Sequence, residues 1–406
     1  MSMTPKRIVI VTQFYPPETT AGSNRVCAIA HALAQAGEVV AVVTGQPSFP
    51  DGVIPEKYTG RAARDECDGP IRIQRVWTYA SPRLRTIDRL LNWMSVSVGA
   101  TLHLLARREP VDVVLVSTPP ITLALPALVA AARHHARLVL DVRDVYPEIA
   151  VKLGIWKPHS VLARLVGTVS EWLYRRSSLI FAVTESATAE IVAHGVSPDK
   201  LVIAPNGFDR THETSRPAQG RPNGKFVVAY AGNMGVATGL DVVLDAAQLL
   251  EPNDNFQFVL VGGGAQCNIL ARRIERERLR NVTLLGAQPR DVATAIVRDA
   301  DVCLVPLKRG VDDSLPSKLF DALAHGTPVI VCADGEAKAF IERSGGGIAV
   351  PPEDGTALAE AIRELAADTA RREALGRSGM AYVHANYDRA KVVFDIARRV
   401  GMLPSL

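Results

Sequence analysis

The stretch Asp312-Asp-Ser-Leu-Pro-Ser-Lys-Leu-Phe-Asp-Ala-Leu-Ala-His-Gly-Thr-Pro-Val-Ile330 holds the most specific chemistry in the chain. A polar loop leads through Pro316 into a helical pattern that ends at Gly326, with Ser317 or Ser314 as candidate cap. Lys318 then falls in the first turn, where a cation is unfavourable against the helix dipole unless an anion binds nearby. A diphosphate would supply that anion. Asp321, three residues on, shares a helix face with Lys318 and offers acceptors for two vicinal ribose hydroxyls. A surface Lys and Asp pair is the plainer alternative at this spacing.

Four turns in the same half carry small or polar residues where apolar runs end: Ala231-Gly-Asn-Met-Gly235, Val261-Gly-Gly-Gly-Ala265, Leu285-Gly-Ala-Gln-Pro289 and Val305-Pro-Leu-Lys308. Glycine after a strand lets backbone amides approach a phosphate, which makes Gly232, Asn233, Gly262 and Gly263 candidates for binding a nucleotide. Any one of these turns would equally serve as a tight strand-to-helix connection. Neither G-x-x-x-x-G-K-[ST] nor a G-x-G-x-x-G in the first turn is present, which disfavours a P-loop ATPase and a standard dinucleotide oxidoreductase. Near the amino end, the loop from Pro16 to Gly22 enters a helix at about Ser23, so its backbone N–H groups are candidates for the same diphosphate. Arg25, one turn in, either assists them or is a solvated helix residue.

These residues need a scaffold that lines up strand ends. Arg7–Thr12 is a β-branched run without polar alternation, as in a parallel strand buried on both faces. A helix over Asn24–Ala36 and a strand over Val39–Thr44 complete a βαβ unit, and buried runs recur at Val113–Val116, Leu138–Leu140 and Leu179–Thr184. A polar, turn-rich segment follows, read as a linker over 210–224. A second series of runs begins at Phe226 and recurs at Phe256–Val261, Val282–Leu285, Val302–Pro306 and Pro328–Val331. The expectation is an α/β protein with two Rossmann-like, doubly wound domains, over 1–209 and 225–385, facing a central cleft, and a helix over 386–406.

A chain of 406 residues with 48% hydrophobic and 22% charged residues suits two such domains. The net charge of +4 gives no reason to expect a nucleic-acid partner. Five scattered cysteines without a Cys-x-x-Cys pair predict neither a metal centre nor a disulfide frame, and point to a cytoplasmic protein. No apolar run reaches the roughly 20 residues of a membrane span. The segment Arg83–Arg108 is apolar at its centre and basic at its ends, which suits contact with the inner membrane through Arg83, Arg85 and Arg89. Burial against the sheet is the favoured reading of its carboxyl half.

Taken together, Gln13-Phe-Tyr-Pro-Pro-Glu18 with Gly22, Ser117-Thr-Pro-Pro120, Asp141-Val-Arg-Asp-Val-Tyr-Pro-Glu148, Pro205-Asn-Gly-Phe-Asp209, Ala231-Gly-Asn-Met-Gly235 and Pro316-Ser-Lys318 give the chain a family likeness over nearly its whole length. It resembles the retaining GT-B glycosyltransferases of family 4, especially bacterial fucosamine-transferase-type enzymes of O-antigen and capsule synthesis. The resemblance implies a UDP-sugar donor carrying an N-acetylated hexosamine or deoxyhexosamine, and a lipid-diphosphate-linked or saccharide acceptor. It also implies retention of configuration without a metal or other cofactor. Where the family carries two glutamates eight positions apart, this chain has Asp313 and Asp321, each one methylene shorter. The family's usual Arg and Lys clamp is absent, with Asn233 and Thr238 in its region, so Lys318 becomes the diphosphate cation. By the same likeness Arg143 would contact the leaving phosphate or sugar, Asp144 or Glu148 would orient the acceptor hydroxyl, and the last helix would return to the first domain. A sugar-nucleotide 2-epimerase of the same fold and a non-catalytic sugar-nucleotide-binding protein are the alternatives.

Overall fold

A computed structural model describes residues 4–60, 63–83, 85–210, 224–253 and 255–403. Most of the expected linker, 211–223, therefore lies outside the described residues. Chain contacts divide the molecule into two compact units, the first comprising residues 1–206 and 390–406 and the second residues 207–389.

The first unit is built on a sheet of β1 (Arg7–Val11), β2 (Val39–Gly45), β3 (Ala63–Asp68), β4 (Ile71–Val76), β5 (Val113–Thr118), β6 (Arg137–Val142), β7 (Leu179–Ala182) and β8 (Leu201–Ile203). Their order is β3-β4-β2-β1-β5-β6-β7-β8, parallel except for β3, which runs antiparallel to β4. The central strands lack polar alternation because both faces are covered. Val9 and Val11 point into one core, Ile8 and Ile10 into the other.

On the first face lie α2 (Thr86–Ala106), α3 (Ala124–His134), α5 (Val161–Arg176) and α6 (Glu185–Ala193), with the short α4 (Glu148–Lys152) preceding α5. The opposite face is covered by α1 (Ala21–Gln35) and the last helix, α14 (Arg389–Gly401), through Val26, Ile29 and Leu33 from one and Val393, Ile396 and Val400 from the other. The Lys6 ammonium donates to the carbonyls of Gly401 and Leu403 and ties down the end of α14.

Helix α1 begins three residues before the expected Asn24, because the Thr20 hydroxyl accepts from Ser23 N at 3.0 Å and caps it there. The fully buried Arg25 fastens α1 to β6. Its Nη2 lies 2.7 Å and its Nε 2.9 Å from Asp141 Oδ1, Asp141 Oδ2 accepts from the Ser117 hydroxyl at 2.9 Å, and Arg25 Nη1 donates to the Pro205 carbonyl at 3.0 Å.

The second unit contains β9 (Phe226–Ala231), α7 (Asp241–Leu250), β10 (Phe256–Val261), α8 (Cys267–Glu277), β11 (Val282–Gly286), α9 (Arg290–Asp299) and β12 (Val302–Pro306). It continues through α10 (Ser317–Ala324), β13 (Val329–Cys332), α11 (Gly335–Ser344), β14 (Gly347–Val350), α12 (Gly355–Ala367) and α13 (Thr369–Asn386). Its strands are all parallel in the order β11-β10-β9-β12-β13-β14.

Strand order reverses between β1 and β5 in the first sheet and between β9 and β12 in the second. Open α/β sheets bind ligands beyond the carboxyl ends of their strands at such points, where loops diverge and leave helix amino ends exposed. The candidate residues of each unit come from the loops at or next to its reversal.

Helix α2 packs its carboxyl half against the sheet as expected, but it carries a second apolar face. Val96, Ala100 and Leu104 are buried against the sheet, but Ile87, Leu90, Leu91, Met94, Val98, Leu102 and Leu105 form a second, exposed stripe along the whole helix.

Asp141→Ala leaves Arg25 buried without its carboxylate, and is expected to cost about 3–5 kcal/mol in denaturant unfolding. Arg25→Met combined with Asp141→Leu removes both charges and should recover most of that loss.

Candidate active site

In the first unit the loop after β1 leads to the amino end of α1, and Arg143 follows β6. Arg143 Nη2 donates to the Pro119 carbonyl at 2.9 Å and its Nε to the Ser117 hydroxyl at 3.3 Å, which holds the guanidinium against Gly22. A Cβ on Gly22 would stand 2.5 Å from Arg143 Nη1. Glycine here is what lets a cation lie on the first turn of α1. Burial holds the Arg143 guanidinium below its ordinary pKa, although it remains a cation.

Asp144 beside it is exposed. Arg25 is not solvated: it is ion-paired with Asp141 inside the unit, and acts as a positioning residue for α1 and the Ser117 loop. Ser117 therefore links two arginines, Arg25 through Asp141 and Arg143 directly. Glu148 is engaged with His194, Oε1 to Nε2 at 2.9 Å. Burial works to raise its pKa, but the His194 hydrogen bond and charge outweigh this and hold it below the usual carboxylate range.

In the second unit the turns after β9 and β10 pack backbone on backbone. Gly232 N donates to Val261 O at 2.9 Å, Gly262 N to Gly286 O at 2.9 Å, and Met234 N to Gly263 O at 2.8 Å. A Cβ on Gly262 would fall 1.8 Å from the Gly232 carbonyl oxygen, so only glycine fits there. The Asn233 side chain is enclosed by Gly235 and Gly264.

Against this floor lies Lys318. Its ammonium donates to the Tyr230 hydroxyl at 2.7 Å, sits 4.0 Å from the centre of the Tyr230 ring, and would be 3.2 Å from a Cβ on Gly232. Tyr230 passes the chain on by donating to the Asn233 carbonyl at 2.6 Å. Burial raises the Tyr230 pKa and keeps it a neutral phenol. Among the described residues no carboxylate forms an ion pair with Lys318, and burial pushes its pKa down to about 8.

The helix that carries Lys318 starts on a residue that cannot cap it. Its N-cap position is Pro316, whose side chain makes no cap bond, so neither Ser314 nor Ser317 plays the expected capping role. The N-cap residue thus offers the first-turn amides of α10 no side-chain acceptor, and these amides lie beside a desolvated ammonium. Asp321, one turn on, is half-buried. Burial raises its pKa, opposed by Arg290 and Arg389, while the neighbouring Asp209 raises it further. Asp209 itself ion-pairs with Arg290 at 3.2 Å and with Arg389. Asp313 lies half-buried in the loop before α10, and the preceding Asp312 carbonyl accepts from Glu336 N at 2.7 Å, which anchors that loop to α11.

Two further residues join the sites. Tyr230 is hidden in sequence within an apolar strand. Glu18, in the loop after β1, is buried and accepts from the amides of Ser48 and Phe49 at 3.0 Å each. Burial pushes its pKa up to about 7 against those two hydrogen bonds.

The Lys318 environment has a consequence for stability. With a folded pKa of about 8 against 10.5 for the free side chain, the unfolded chain holds more protons between those values, so Lys318 makes stability rise with pH across that window. Below it the buried charge is a constant cost. Lys318→Met is therefore expected to stabilise the protein at pH 7 by about 1–3 kcal/mol and to flatten the pH dependence of unfolding above pH 8, measured by urea denaturation.

Two family models match the chain: "Glycosyl transferase 4-like domain" over residues 20–207 and "Glycosyl transferases group 1" over residues 225–368. The chain is 27% identical over 378 residues to the putative colanic acid biosynthesis glycosyl transferase WcaI of Escherichia coli K12, covering 88% of this chain and 91% of that one. It is 26% identical over 295 residues to the probable glycosyltransferase WbjE of Pseudomonas aeruginosa, covering 70% and 74%. Among solved structures, Anabaena HepE in complex with UDP superposes with a TM-score of 0.70 at 15% identity over 98% of this chain and all of that one. WaaG, described as a glycosyltransferase of lipopolysaccharide biosynthesis, gives 0.71 at 16% identity over 97% and 99%. With the GT-B fold shared with these structures and both family models satisfied in turn along its length, the chain belongs to the family of group 1 and 4-like glycosyltransferases.

Proposed function

We propose that this protein transfers an N-acetylated hexosamine or deoxyhexosamine from a UDP-sugar, with retention, to a lipid-diphosphate-linked or saccharide acceptor in surface polysaccharide synthesis. The observation that carries the reading is Lys318: a desolvated ammonium, without a carboxylate partner among the described residues, beside an amino end of α10 whose N-cap is a proline. Such a site is complementary to an anion. The relatives in colanic acid synthesis and the UDP complex of HepE support a nucleotide sugar as that anion's source.

In this reading the charge that develops on the departing β-phosphate is stabilised by Lys318 and the first-turn amides of α10. Gly232 and Gly262 let the backbone come close, and Asp321 binds the ribose hydroxyls. Asp313 lies toward the sugar. In the first unit, Arg143 and the amino end of α1 contact phosphate or sugar, and Asp144 orients the acceptor hydroxyl. Lysine in the cation's role makes a metal unnecessary. The matching family models and the relatives WcaI and WbjE are glycosyltransferases, which does not favour the 2-epimerase alternative.

For the acceptor we propose contact with an anionic membrane through α2. No helix among the described residues is long and apolar enough to cross a membrane. The exposed stripe of α2, with Leu102 63% and Ile87 55% exposed, begins beside exposed Arg83, Arg85 and Arg89, which supports an interfacial helix attracted to acidic lipid. Leu91→Glu with Leu102→Glu should abolish flotation with vesicles containing phosphatidylglycerol while leaving UDP binding intact. Unchanged flotation would remove this contact.

Lys318→Ala is expected to lower kcat/KM about 10²–10³-fold and to weaken UDP binding, in assays containing EDTA against a panel of UDP-sugars. Wild-type turnover in that variant would overturn the placement of the diphosphate.

A further inference from the structure

One cluster of metal-binding side chains lies apart from the residues above. Cys27 and His31 stand one turn apart on α1, and Asp68 ends β3, so the three come from two elements joined across the sheet's edge hairpin. His31 Nε2 is 2.9 Å and Cys27 Sγ 4.0 Å from Asp68 Oδ2, and the three ligand atoms all lie within 4.8 Å of one another. The Tyr15 hydroxyl donates to the same carboxylate at 3.1 Å.

We infer that Cys27, His31 and Asp68 form a binding site for a divalent transition metal, Zn2+ by the chemistry of the donors. A thiolate, an imidazole and a carboxylate are the ligand types zinc takes, at about 2.3, 2.0 and 2.1 Å. Tetrahedral coordination at those lengths separates ligand atoms by about 3.3–3.7 Å, so a shift of about half an ångström in each side chain suffices. The thiol gives up its proton on binding, and thiolate plus carboxylate then match the charge of the ion with a neutral histidine. Water completes the fourth position. His31 and Asp68 are each 38% exposed, which leaves the ion a way in.

Tyr15 is fully buried. Its hydroxyl donates to Asp68 Oδ2, the same oxygen that meets His31 and Cys27, and so fixes the carboxylate as groups outside the coordination sphere do in metal sites. The ion would fasten the β3–β4 hairpin to α1, a structural role separate from sugar transfer and independent of the reading above.

The test is titration of the chelator-treated full-length protein with Co2+, followed by displacement with Zn2+. The expected result is one equivalent of Co2+ giving a thiolate charge-transfer band in the near ultraviolet and tetrahedral bands in the visible, both removed by Zn2+. Cys27→Ser should abolish the ultraviolet band, and His31→Gln and Asp68→Asn should each weaken binding by more than about 100-fold. Tyr15→Phe should weaken it by about 10–100-fold. Cys67, the exposed neighbour of Asp68, is the control, and Cys67→Ser should leave the spectrum unchanged. Should Cys27→Ser fail to fold by circular dichroism, a rise in Tm with Zn2+ in the wild type but not in Asp68→Asn decides the point. Absence of the bands in the wild type, or their loss in Cys67→Ser alone, would overturn the assignment.

Discussion

An ammonium taken out of water costs free energy unless an opposite charge meets it, and Lys318 has been placed where none of the described side chains provides one. Its nearest support is the face and hydroxyl of Tyr230. Everything around it serves to hold that unfavourable arrangement. Glycines at 232 and 262 bring two strand-end turns into backbone contact, Tyr230 is locked by the Asn233 carbonyl, and the loop before α10 is tied through Asp312 to α11. A site strained electrostatically when empty and relieved by an anion follows the general expectation that binding sites trade stability for function.

The first unit solves a different problem. There the cation is the partly buried Arg143, and the Arg25–Asp141 pair buried beside it carries no ligand role. A buried pair of this kind adds little stability over apolar packing. What it supplies is position: Asp141 takes Arg25 on one oxygen and Ser117 on the other, and Ser117 in turn accepts from Arg143. The amino end of α1 and the Arg143 guanidinium are thereby set against each other with only a glycine between them.

Much of this was legible in the sequence, for identifiable reasons. Strands buried on both faces appear as unbroken β-branched runs, and β1, β2, β5, β9, β10 and β12 were visible on that ground. The β3–β4 hairpin was missed because Ala63-Arg-Asp-Glu-Cys-Asp68 is charged on an edge strand, and only Ile71 and Ile73 alternate in its partner. Lys318 was readable because its type is wrong for a helix start. Tyr230 was not, since an aromatic within Phe226–Ala231 looks like core. Arg25 was read as solvated or phosphate-facing because its partner, Asp141, is 116 residues away and no local pattern announces it. Which residues of α2 meet the sheet and which form its exposed stripe was not readable, because an apolar helix does not reveal from sequence which of its faces finds the sheet.

Anion binding here turns on the charge state of one side chain, so the most direct measurement is an NMR titration of the Lys318 ε-methylene and ammonium in selectively labelled protein, assigned with Lys318→Met, with and without UDP. The expected result is a pKa near 8 in the free protein that rises by at least one unit at saturating UDP, because the diphosphate replaces the solvation that burial removed. A Lys318 pKa that does not move when UDP is bound would contradict it.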